Sequence, residues 1–395
     1  MSSWGGSTRS FAVSYGAGAA AVQPAWAILD DFFPNLLTGF RIAEYNAYLE
    51  RFPGLAIYSA QPDFQATAAQ YALRYPTHAK RIAPFRPERL AGIRFAYLNF
   101  LNNAFHFLPV LEHYRIPFVL TLYPGGGFRL GATESDAKLK RVCASPQLAH
   151  VIVTQRATAE YLATASPATA QTLVFGCVVN PLYFSGPALA HPRYGFDKDT
   201  FDVCFVAEKY TEHGRNKGYP EFIDAARAVA DALPHARFHV VGGCGPDDWP
   251  LGTAAGRTRF YGRLETTDLR AFFHGMDVIA SPNRLMQWEG GSFDGFPTAS
   301  CVEASLSGVA MVVTDELASN AGRYRPGEEL LIVRPEASDV AAALLELGRS
   351  PDRLRALSLA GESRTRELFS SAAQIEPRIR VFEQAAAARG ILLQQ

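Results

Sequence analysis

The sequence predicts an α/β protein with two doubly wound domains, and three observations support this fold class. Short apolar runs alternate with amphipathic stretches, as expected when helices connect parallel strands. The alternation stops between residues 181 and 200, where Pro and Gly are frequent, and then starts again. A chain of 395 residues is long enough for two such domains. We therefore expect two Rossmann-like sheets that face each other across a cleft.

The elements of each half follow in regular order. Predicted strands of the first half are short apolar runs that end at polar, Gly or Pro residues, at 25–29, 55–59, 95–100, 117–122, 150–154 and 172–175. Its clearest helices are predicted at 41–51 and from 101 to about 114. The second half has predicted strands at 201–207, 238–241, 259–261, 277–280, 309–313 and 330–333. Its predicted helices lie at 220–233, 267–276, 299–306, 338–347, 351–368 and 373–389.

Domain boundaries follow from this order. We expect a flexible leader at 1–24, a first domain at 25–180, a linker at 181–200, a second domain at 201–372 and a C-terminal helix within 373–395. The leader lacks the charged start and apolar segment of a signal peptide.

Composition excludes several classes of function. Lys plus Arg and Asp plus Glu both number 38, so we expect no nucleic-acid partner. The five cysteines are scattered singly, which argues against zinc or disulfide frameworks and favours a reducing cytoplasm. No apolar run reaches the roughly 18 residues of a membrane span. Asp30 and Asp31 follow the first strand without a matching third ligand, so a loop or cap role is expected and no metal site.

The stretch from 281 to 313 carries the strongest functional signal, since it is predicted as strand end, Gly-rich loop, helix and strand. A helix start is predicted at Pro297, and free backbone N–H groups near Pro297, Thr298 and Ala299 form an anion site. Asp294 precedes this start, and Glu303 lies roughly 6–9 Å beyond it along the helix axis. This spacing suits a diphosphate between a sugar at Asp294 and a ribose at Glu303.

Residues 294–308, DGFPTASCVEASLSG, resemble the E-G-F-G-x-x-x-x-E-A-x-A-x-G signature of retaining glycosyltransferases of the glycogen-synthase-like group, glycosyltransferase family four. In that family the first carboxylate holds the donor sugar and the second holds the ribose hydroxyls. The resemblance implies these roles for Asp294 and Glu303, with Gly295 and Phe296 in the same donor loop. The first acid here is Asp and not Glu, and eight residues separate it from Glu303 where the family has seven.

A basic element follows the first strand of the second domain. Lys217-Gly218 resembles the end of the family's strand-G-R-x-x-x-x-K-G element, which implies that Lys217 binds the donor diphosphate. Two cations are expected because the leaving nucleoside diphosphate gains negative charge as the glycosidic bond breaks. The second is either Lys209, at the strand end, or Arg215, in the loop.

Glycine loops supply the remaining candidate contacts. VVGGCGPDD, with Gly243 and Gly245, and YGRL, with Gly262 and Arg263, resemble family segments near the nucleotide. For the first domain, the resemblance implies that glycine loops approach the donor phosphate and the acceptor, which makes candidates of Gly39, Tyr123, Gly125, Gly126 and Gly127. Tyr123 stands where the family often has His.

As a whole, the resemblance implies a retaining hexosyltransferase of GT-B type that needs no metal or other cofactor. It would move a sugar from a nucleoside-diphosphate sugar to a glycan or glycolipid hydroxyl in polysaccharide biosynthesis. The enzyme would be cytoplasmic, with peripheral contact to the inner membrane face, and its last helix would cross back to the first domain. Two alternatives remain: a nucleotide-sugar epimerase of the same architecture, and a non-catalytic GT-B binding module. The oligomeric state stays open.

Overall fold

Two parallel β-sheets form the framework of the protein, whose computed structural model describes residues 24–184, 191–285 and 290–393. The predicted leader lies outside these residues except for Pro24, and residues 185–190 of the predicted linker lie outside them as well. The domain boundaries therefore stay predictions, and each sheet is described by its own elements.

The first sheet has seven parallel strands in the order β3-β2-β1-β4-β5-β6-β7. They are β1 (Trp26–Asp30), β2 (Leu55–Ser59), β3 (Ile82–Pro84), β4 (Phe95–Asn99), β5 (Phe118–Leu122), β6 (Leu148–Val153) and β7 (Gln171–Leu173). Its helices are α1 (Gly39–Arg51), α2 (Phe64–Arg74), α3 (Pro76–Ala79), α4 (Leu101–Tyr114), α5 (Thr133–Cys143) and α6 (Arg156–Ala165). A short 3-10 helix, Pro87–Leu90, precedes β4. The six predicted strands are all present, and β3 is an additional edge strand.

The second sheet has six parallel strands in the order β10-β9-β8-β11-β12-β13. They are β8 (Phe201–Ala207), β9 (Ala236–Gly242), β10 (Thr258–Phe260), β11 (Val278–Ser281), β12 (Ala310–Val313) and β13 (Leu331–Ile332). Its helices are α7 (Tyr219–Ala232), α8 (Thr266–Phe273), α9 (Ala299–Leu306), α10 (Ala337–Arg349), α11 (Pro351–Phe369) and α12 (Ser371–Ala387). Three 3-10 helices lie at Pro181–Tyr183, Glu212–Lys217 and Gly252–Arg257.

Strand order reverses once in each sheet, between β1 and β4 and between β8 and β11. In open parallel sheets, ligands bind beside the carboxyl ends of the strands at such a point, because the two flanking loops diverge there and leave a crevice. The reversal points thus identify where a ligand is expected in each sheet, independently of any motif.

Apolar side chains pack on both faces of each sheet, as buried parallel strands require. Helix α12 contributes Ile375, Ile379 and Phe382 to the core on one face of the first sheet, where Phe382 packs 5.9 Å from Trp26 between ring centroids. The last helix thus follows the elements of the second sheet in the chain but packs against the first sheet. Among the described residues, no helix is both long and apolar enough to cross a membrane.

Candidate active site

Helix α9 and its preceding loop lie at the carboxyl end of the second sheet. The helix begins at Ala299, because the N-cap Thr298 has an extended backbone (φ −65°, ψ 157°). The prediction that Pro297 occupies the first helical position is therefore wrong, since Pro297 precedes the cap. The first intrahelical hydrogen bond runs from Val302 N–H to the Thr298 carbonyl (3.1 Å). The three N–H groups before it are those that bind anions at helix starts.

Three side chains from two connections, the one after β8 and the one between β11 and α9, meet beside this helix start. Lys217 Nζ lies 2.5 Å from Asp294 Oδ1, and Asn283 Nδ2 donates to Asp294 Oδ2 at 2.5 Å. The Lys217 and Asp294 side chains are 11% and 29% exposed, so the pair is accessible without being fully solvated. We call Lys217, Asn283 and Asp294 the cleft cluster. Lys217 follows β8 and Asn283 follows β11, so the cluster lies where the strand order of the second sheet reverses.

Glu303 lies one turn into α9, at the boundary with the first domain. A Cβ added to Gly39 would lie 3.9 Å from Glu303 Oε1 and 3.6 Å from Thr266 Oγ1, so the start of α1 faces this carboxylate. Burial raises the pKa of Glu303 to about 7, and the neighbouring Tyr183 hydroxyl partly offsets that rise. The side chain therefore changes charge near neutral pH, at a point where both domains contribute contacts.

The two candidates for the second cation differ in their partners. Lys209 Nζ lies 2.8 Å from Asp248 Oδ1, and this ion pair raises the pKa of Lys209. Arg215 is exposed, and its guanidinium carbon lies 5.7 Å from the centroid of the Trp249 ring. Both side chains thus contact the loop after β9, whereas Lys217 contacts Asp294.

The glycine loops of the second domain are close to this region. A Cβ added to Gly243 would lie 3.0 Å from the Lys209 backbone nitrogen, so the loop after β9 passes closely beside the end of β8. Gly262 accepts a hydrogen bond from Gly242 N–H (2.8 Å). Arg263 is 61% exposed and forms an ion pair with Glu208 (2.9 Å). Its guanidinium therefore lies at the surface beside the residue that precedes Lys209.

In the first domain, the three glycines after β5 have different surroundings. All three have positive φ, and a Cβ added to Gly126 or Gly127 would overlap Phe100 at 2.3 Å or Asn102 at 2.1 Å, respectively. Added to Gly125, a Cβ would meet no described atom within 4 Å. This loop is therefore built for close backbone packing, with Gly125 on its open side.

Tyr123 has the hydrogen-bond partners of its hydroxyl in the protein interior. Its side chain is buried, and its hydroxyl donates to Glu44 Oε2 (2.9 Å) inside the first domain. The hydroxyl has thus already used its donor within the protein, and the predicted substrate contact of Tyr123 stays a prediction.

Contacts across the cleft join the loop before α9 to the first domain. Leu130 N–H donates to the Gly291 carbonyl (2.8 Å), and Gln155 Nε2 donates to the Phe296 carbonyl (3.4 Å). A further link is the ion pair between Arg74 and Glu265. The donor loop predicted around Asp294, Gly295 and Phe296 is thus supported from both sides.

Asp30 has the loop role expected for it. Its Oδ1 accepts hydrogen bonds from Phe32 N–H (2.8 Å) and Phe33 N–H (2.6 Å), and it lies 2.7 Å from Arg41 Nη1. Within residues 24–184, 191–285 and 290–393, no group of three or more His, Cys, Asp or Glu side chains is arranged to hold a metal ion.

Comparison with known proteins decides the family. Residues 200–350, which contain both cations and both carboxylates of the predicted donor site, match the family described as "Glycosyl transferases group 1". Over these residues the chain is a group 1 glycosyltransferase. It is accordingly a nucleotide-sugar-dependent enzyme, which favours sugar transfer over the epimerase and the non-catalytic module. None of the curated proteins matches the chain.

Solved structures show that the glycosyltransferase has the GT-B fold. HepE from Anabaena, in complex with UDP-glucose, is 15% identical, with 92% of this chain and 99% of HepE covered and a TM-score of 0.65. Sucrose-phosphate synthase from Thermosynechococcus elongatus is 16% identical, with 92% and 99% covered and a TM-score of 0.63. A glycosyltransferase from Rickettsia africae is 12% identical, with 91% and 98% covered and a TM-score of 0.63. At these identities the likeness shows the fold alone.

Several residues of the glycosyltransferase cleft were missed in the sequence. Asn283 forms a hydrogen bond with Asp294, and Asp248 forms an ion pair with Lys209. Tyr183 lies beside Glu303, and Gln155 contacts the Phe296 carbonyl across the cleft. A signal existed for Asn283, because it follows a strand that flanks the reversal point and precedes the acidic loop. No local pattern marked Tyr183 or Gln155.

Proposed function

We propose that the enzyme transfers a hexose from a UDP-hexose, with retention of anomeric configuration, to a hydroxyl of a glycan or glycolipid. The observation that carries this proposal is the Lys217–Asp294 ion pair beside the start of α9. The pair supports the proposal because a cation and a carboxylate then lie together beside the free N–H groups of a helix start. The choice of uridine draws on the complex of the similarly folded HepE with UDP-glucose.

Each group has a distinct role in this proposal. Lys217 and the N–H groups at the start of α9 bind the diphosphate, and Glu303 accepts hydrogen bonds from the ribose hydroxyls. Asp294 is released from Lys217 when the diphosphate binds, and it then accepts hydrogen bonds from the sugar hydroxyls. Lys209 supplies the second cation. The glycine loops after β9 and β10 and the segment at Arg263 approach the base, while Gly39 and Gly125–Gly127 approach the phosphate and the acceptor.

The chemistry follows from where charge develops. The bond from the anomeric carbon to the phosphate oxygen breaks, the acceptor oxygen bonds to the anomeric carbon, and the acceptor proton moves to the departing phosphate. The phosphate leaves from one face of the sugar and guides the acceptor hydroxyl to the same face. The anomeric carbon therefore keeps its configuration. Lys217, Lys209 and the helix start stabilise the developing negative charge, so no metal is required. Asp294 orients the sugar and forms no covalent bond.

Binding of UDP tests the donor site. We expect Lys217→Ala to weaken UDP binding about 10- to 100-fold, the loss typical of a charge-assisted hydrogen bond. Isothermal titration calorimetry measures it, with Lys80→Ala at an exposed lysine of the first domain as control. Equal UDP affinity in both variants would remove Lys217 from the donor site.

Product analysis tests the reaction. NMR of the first-formed product should show the donor's anomeric configuration, and turnover should continue in EDTA. An inverted centre, or activity that is lost in EDTA and restored by Mg²⁺ or Mn²⁺, would contradict the mechanism.

We extend the proposal to the setting of the enzyme. A glycan or glycolipid acceptor places it in polysaccharide biosynthesis in the cytoplasm, with peripheral contact to the inner face of the membrane. Sedimentation with vesicles of anionic and of neutral lipid measures that contact.

A further inference from the structure

Asn283 is held by hydrogen bonds on three sides at the carboxyl end of β11. Its backbone carbonyl accepts from Thr314 Oγ1 (2.6 Å), and its side-chain Oδ1 accepts from Ser281 Oγ (2.7 Å). Its Nδ2 donates to Asp294 Oδ2 (2.5 Å). These contacts tie the side-chain amide of Asn283 to β11 and its backbone to the residue after β12.

The chemistry of the partners determines which way the amide points. An ionised carboxylate only accepts hydrogen bonds, so the NH₂ group of Asn283 must face Asp294. The remaining amide oxygen then faces Ser281, whose hydroxyl can donate to it. Ser281 therefore favours the amide orientation that supplies a donor to Asp294.

The two carboxylate oxygens of Asp294 have different partners, and donor binding is expected to remove only one of them. Oδ1 is paired with Lys217, which is drawn to the diphosphate when the donor enters. Oδ2 is bonded to Asn283, which carries no charge and has no attraction for the diphosphate. Once the donor is bound, Asn283 is the partner that continues to orient the carboxylate.

Such support matters here because Asp294 lies in a long loop. The loop has one residue more between the two acids than the related signature, and Asp has one methylene fewer than Glu. Asp294 and Asn283 line the same open pocket, together with Ser281, Thr298 and Thr314. A carboxylate in this position needs an anchor if it is to meet sugar hydroxyls in one geometry.

We propose that Asn283 is a positioning residue that keeps Asp294 aimed at the donor sugar during transfer. The inference rests on the proposed role of Asp294 as the sugar-binding carboxylate. Asn283 itself touches neither the diphosphate nor the reacting bond. Its loss should therefore lower kcat and leave UDP binding nearly unchanged.

The test uses the full chain with whichever of UDP-glucose and UDP-N-acetylglucosamine it hydrolyses faster, followed as UDP release. Asn283→Ala should lower kcat about 10- to 100-fold, since one charge-assisted contact to the sugar-binding group is lost. The dissociation constant of UDP should stay within about twofold, because the diphosphate contacts remain. Ser281→Ala should have a smaller effect in the same direction, because the amide stays but is no longer held.

An isosteric variant, Asn283→Asp, provides a second measurement, the pH dependence of its activity. A purely structural role of Asn283 would not change this pH dependence. In Asn283→Asp, the introduced carboxylate repels Asp294 and donates no hydrogen bond. Among the described residues, the other charged groups around this cavity are Lys217, from the segment after β8, Arg284, which is paired with Glu221 (2.5 Å), and Asp315 and Glu316, from the loop after β12. As the pH falls, one proton shared by the two carboxyls restores a donor, so activity relative to wild type should rise.

The results distinguish a failure of the positioning role of Asn283 from a failure of the proposed donor site. Wild-type kcat in Asn283→Ala and Asn283→Asp, with kcat lost in Asp294→Asn, would overturn the positioning role and leave the proposed donor site intact. Wild-type kcat in Asp294→Asn and wild-type UDP affinity in Lys217→Ala would overturn the donor site itself. If Asn283→Ala does not fold, the pH profile of Asn283→Asp decides, and a ratio to wild type that is flat with pH counts against the role.

Discussion

Two charged clusters in this glycosyltransferase have similar chemistry and different accessibility. The interior cluster consists of Glu44, Tyr48, Tyr97, Tyr123 and Arg378, all buried in the first domain. The cleft cluster of Lys217, Asn283 and Asp294 is partly open to solvent.

In the interior cluster, the charged side chains form hydrogen bonds with buried groups of the protein. Glu44 accepts hydrogen bonds from the hydroxyls of Tyr48 (3.0 Å), Tyr97 and Tyr123 (2.9 Å). Arg378, on α12, donates to the Gln374 carbonyl (2.7 Å) and to the Gly176 carbonyl (3.3 Å). Burial and the nearby Glu44 carboxylate raise the pKa of Tyr123, which keeps the hydroxyl a donor. This cluster joins the last helix to the first sheet.

The difference shows what accessibility does to an ion pair. A buried charge that loses its partner is left unsolvated, so breaking the interior cluster should lower the stability of the fold. A partly open charge can exchange its protein partner for a ligand at modest cost, so the same kind of pair can serve binding. Variants of the two clusters should accordingly differ in whether they change stability or activity.

The largest expected effect is on folding, through the interior cluster. Arg378→Met should lower the free energy of unfolding by about 3–5 kcal/mol, because it leaves Glu44 and its neighbours without their buried cation. Urea denaturation measures the loss. The control is Arg380→Met, an exposed arginine on the same helix, which should behave as wild type. Equal stability of the two variants would mean that the interior cluster does not hold α12 in place.

A second effect concerns pH and Glu303, whose folded-state pKa is raised to about 7. The folded protein then binds one more proton than the unfolded chain between roughly pH 4.5 and 7. Its contribution to stability is present at the lower end of that window and is lost as the pH rises through 7. Glu303→Gln should remove this slope, and the exposed Glu376→Gln on α12 should keep it.

The titration of Glu303 should also appear in the pH dependence of UDP binding. Ionised Glu303 accepts ribose hydroxyls, so UDP affinity should rise with pH towards and just above 7, by at most about tenfold per pH unit. The difference between wild type and Glu303→Gln isolates this effect from ionisation of UDP itself. Parallel pH curves for the two proteins would show that Glu303 does not contact the ribose.

The smallest expected effect distinguishes the two remaining cations. Lys209→Ala should lower kcat about 5- to 10-fold, because the side chain starts from a strand end and is preorganised near the diphosphate. Arg215→Ala should change kcat less than about twofold, since its exposed guanidinium lies over Trp249. Initial rates at saturating donor measure both. The reverse order would assign the second cation to the loop at Arg215.

The sequence by itself determined the α/β class, the succession of parallel strands and the bounds of α9, 299–306, apart from the position of Pro297. These features depend on local periodicity and on Pro and Gly at the ends of elements, and both are visible in the amino-acid sequence. It also supplied the candidates Asp294 and Glu303, from their spacing around a predicted helix start, and Lys217, from the resemblance of Lys217-Gly218 to the basic element of the family. The edge strand β3 was missed, since three half-buried residues carry almost no periodic signal.

Only the tertiary structure decided which groups meet. Lys217 and Asp294 are 77 residues apart, and Tyr123 and Arg378 are 255 apart, so no local pattern relates them. Folding brought Asn283 beneath Asp294, placed Gly39 opposite Glu303 and turned the Tyr123 hydroxyl to Glu44. The physical reason is that parallel sheets gather the carboxyl ends of distant strands at one edge, where burial then determines which polar groups must pair.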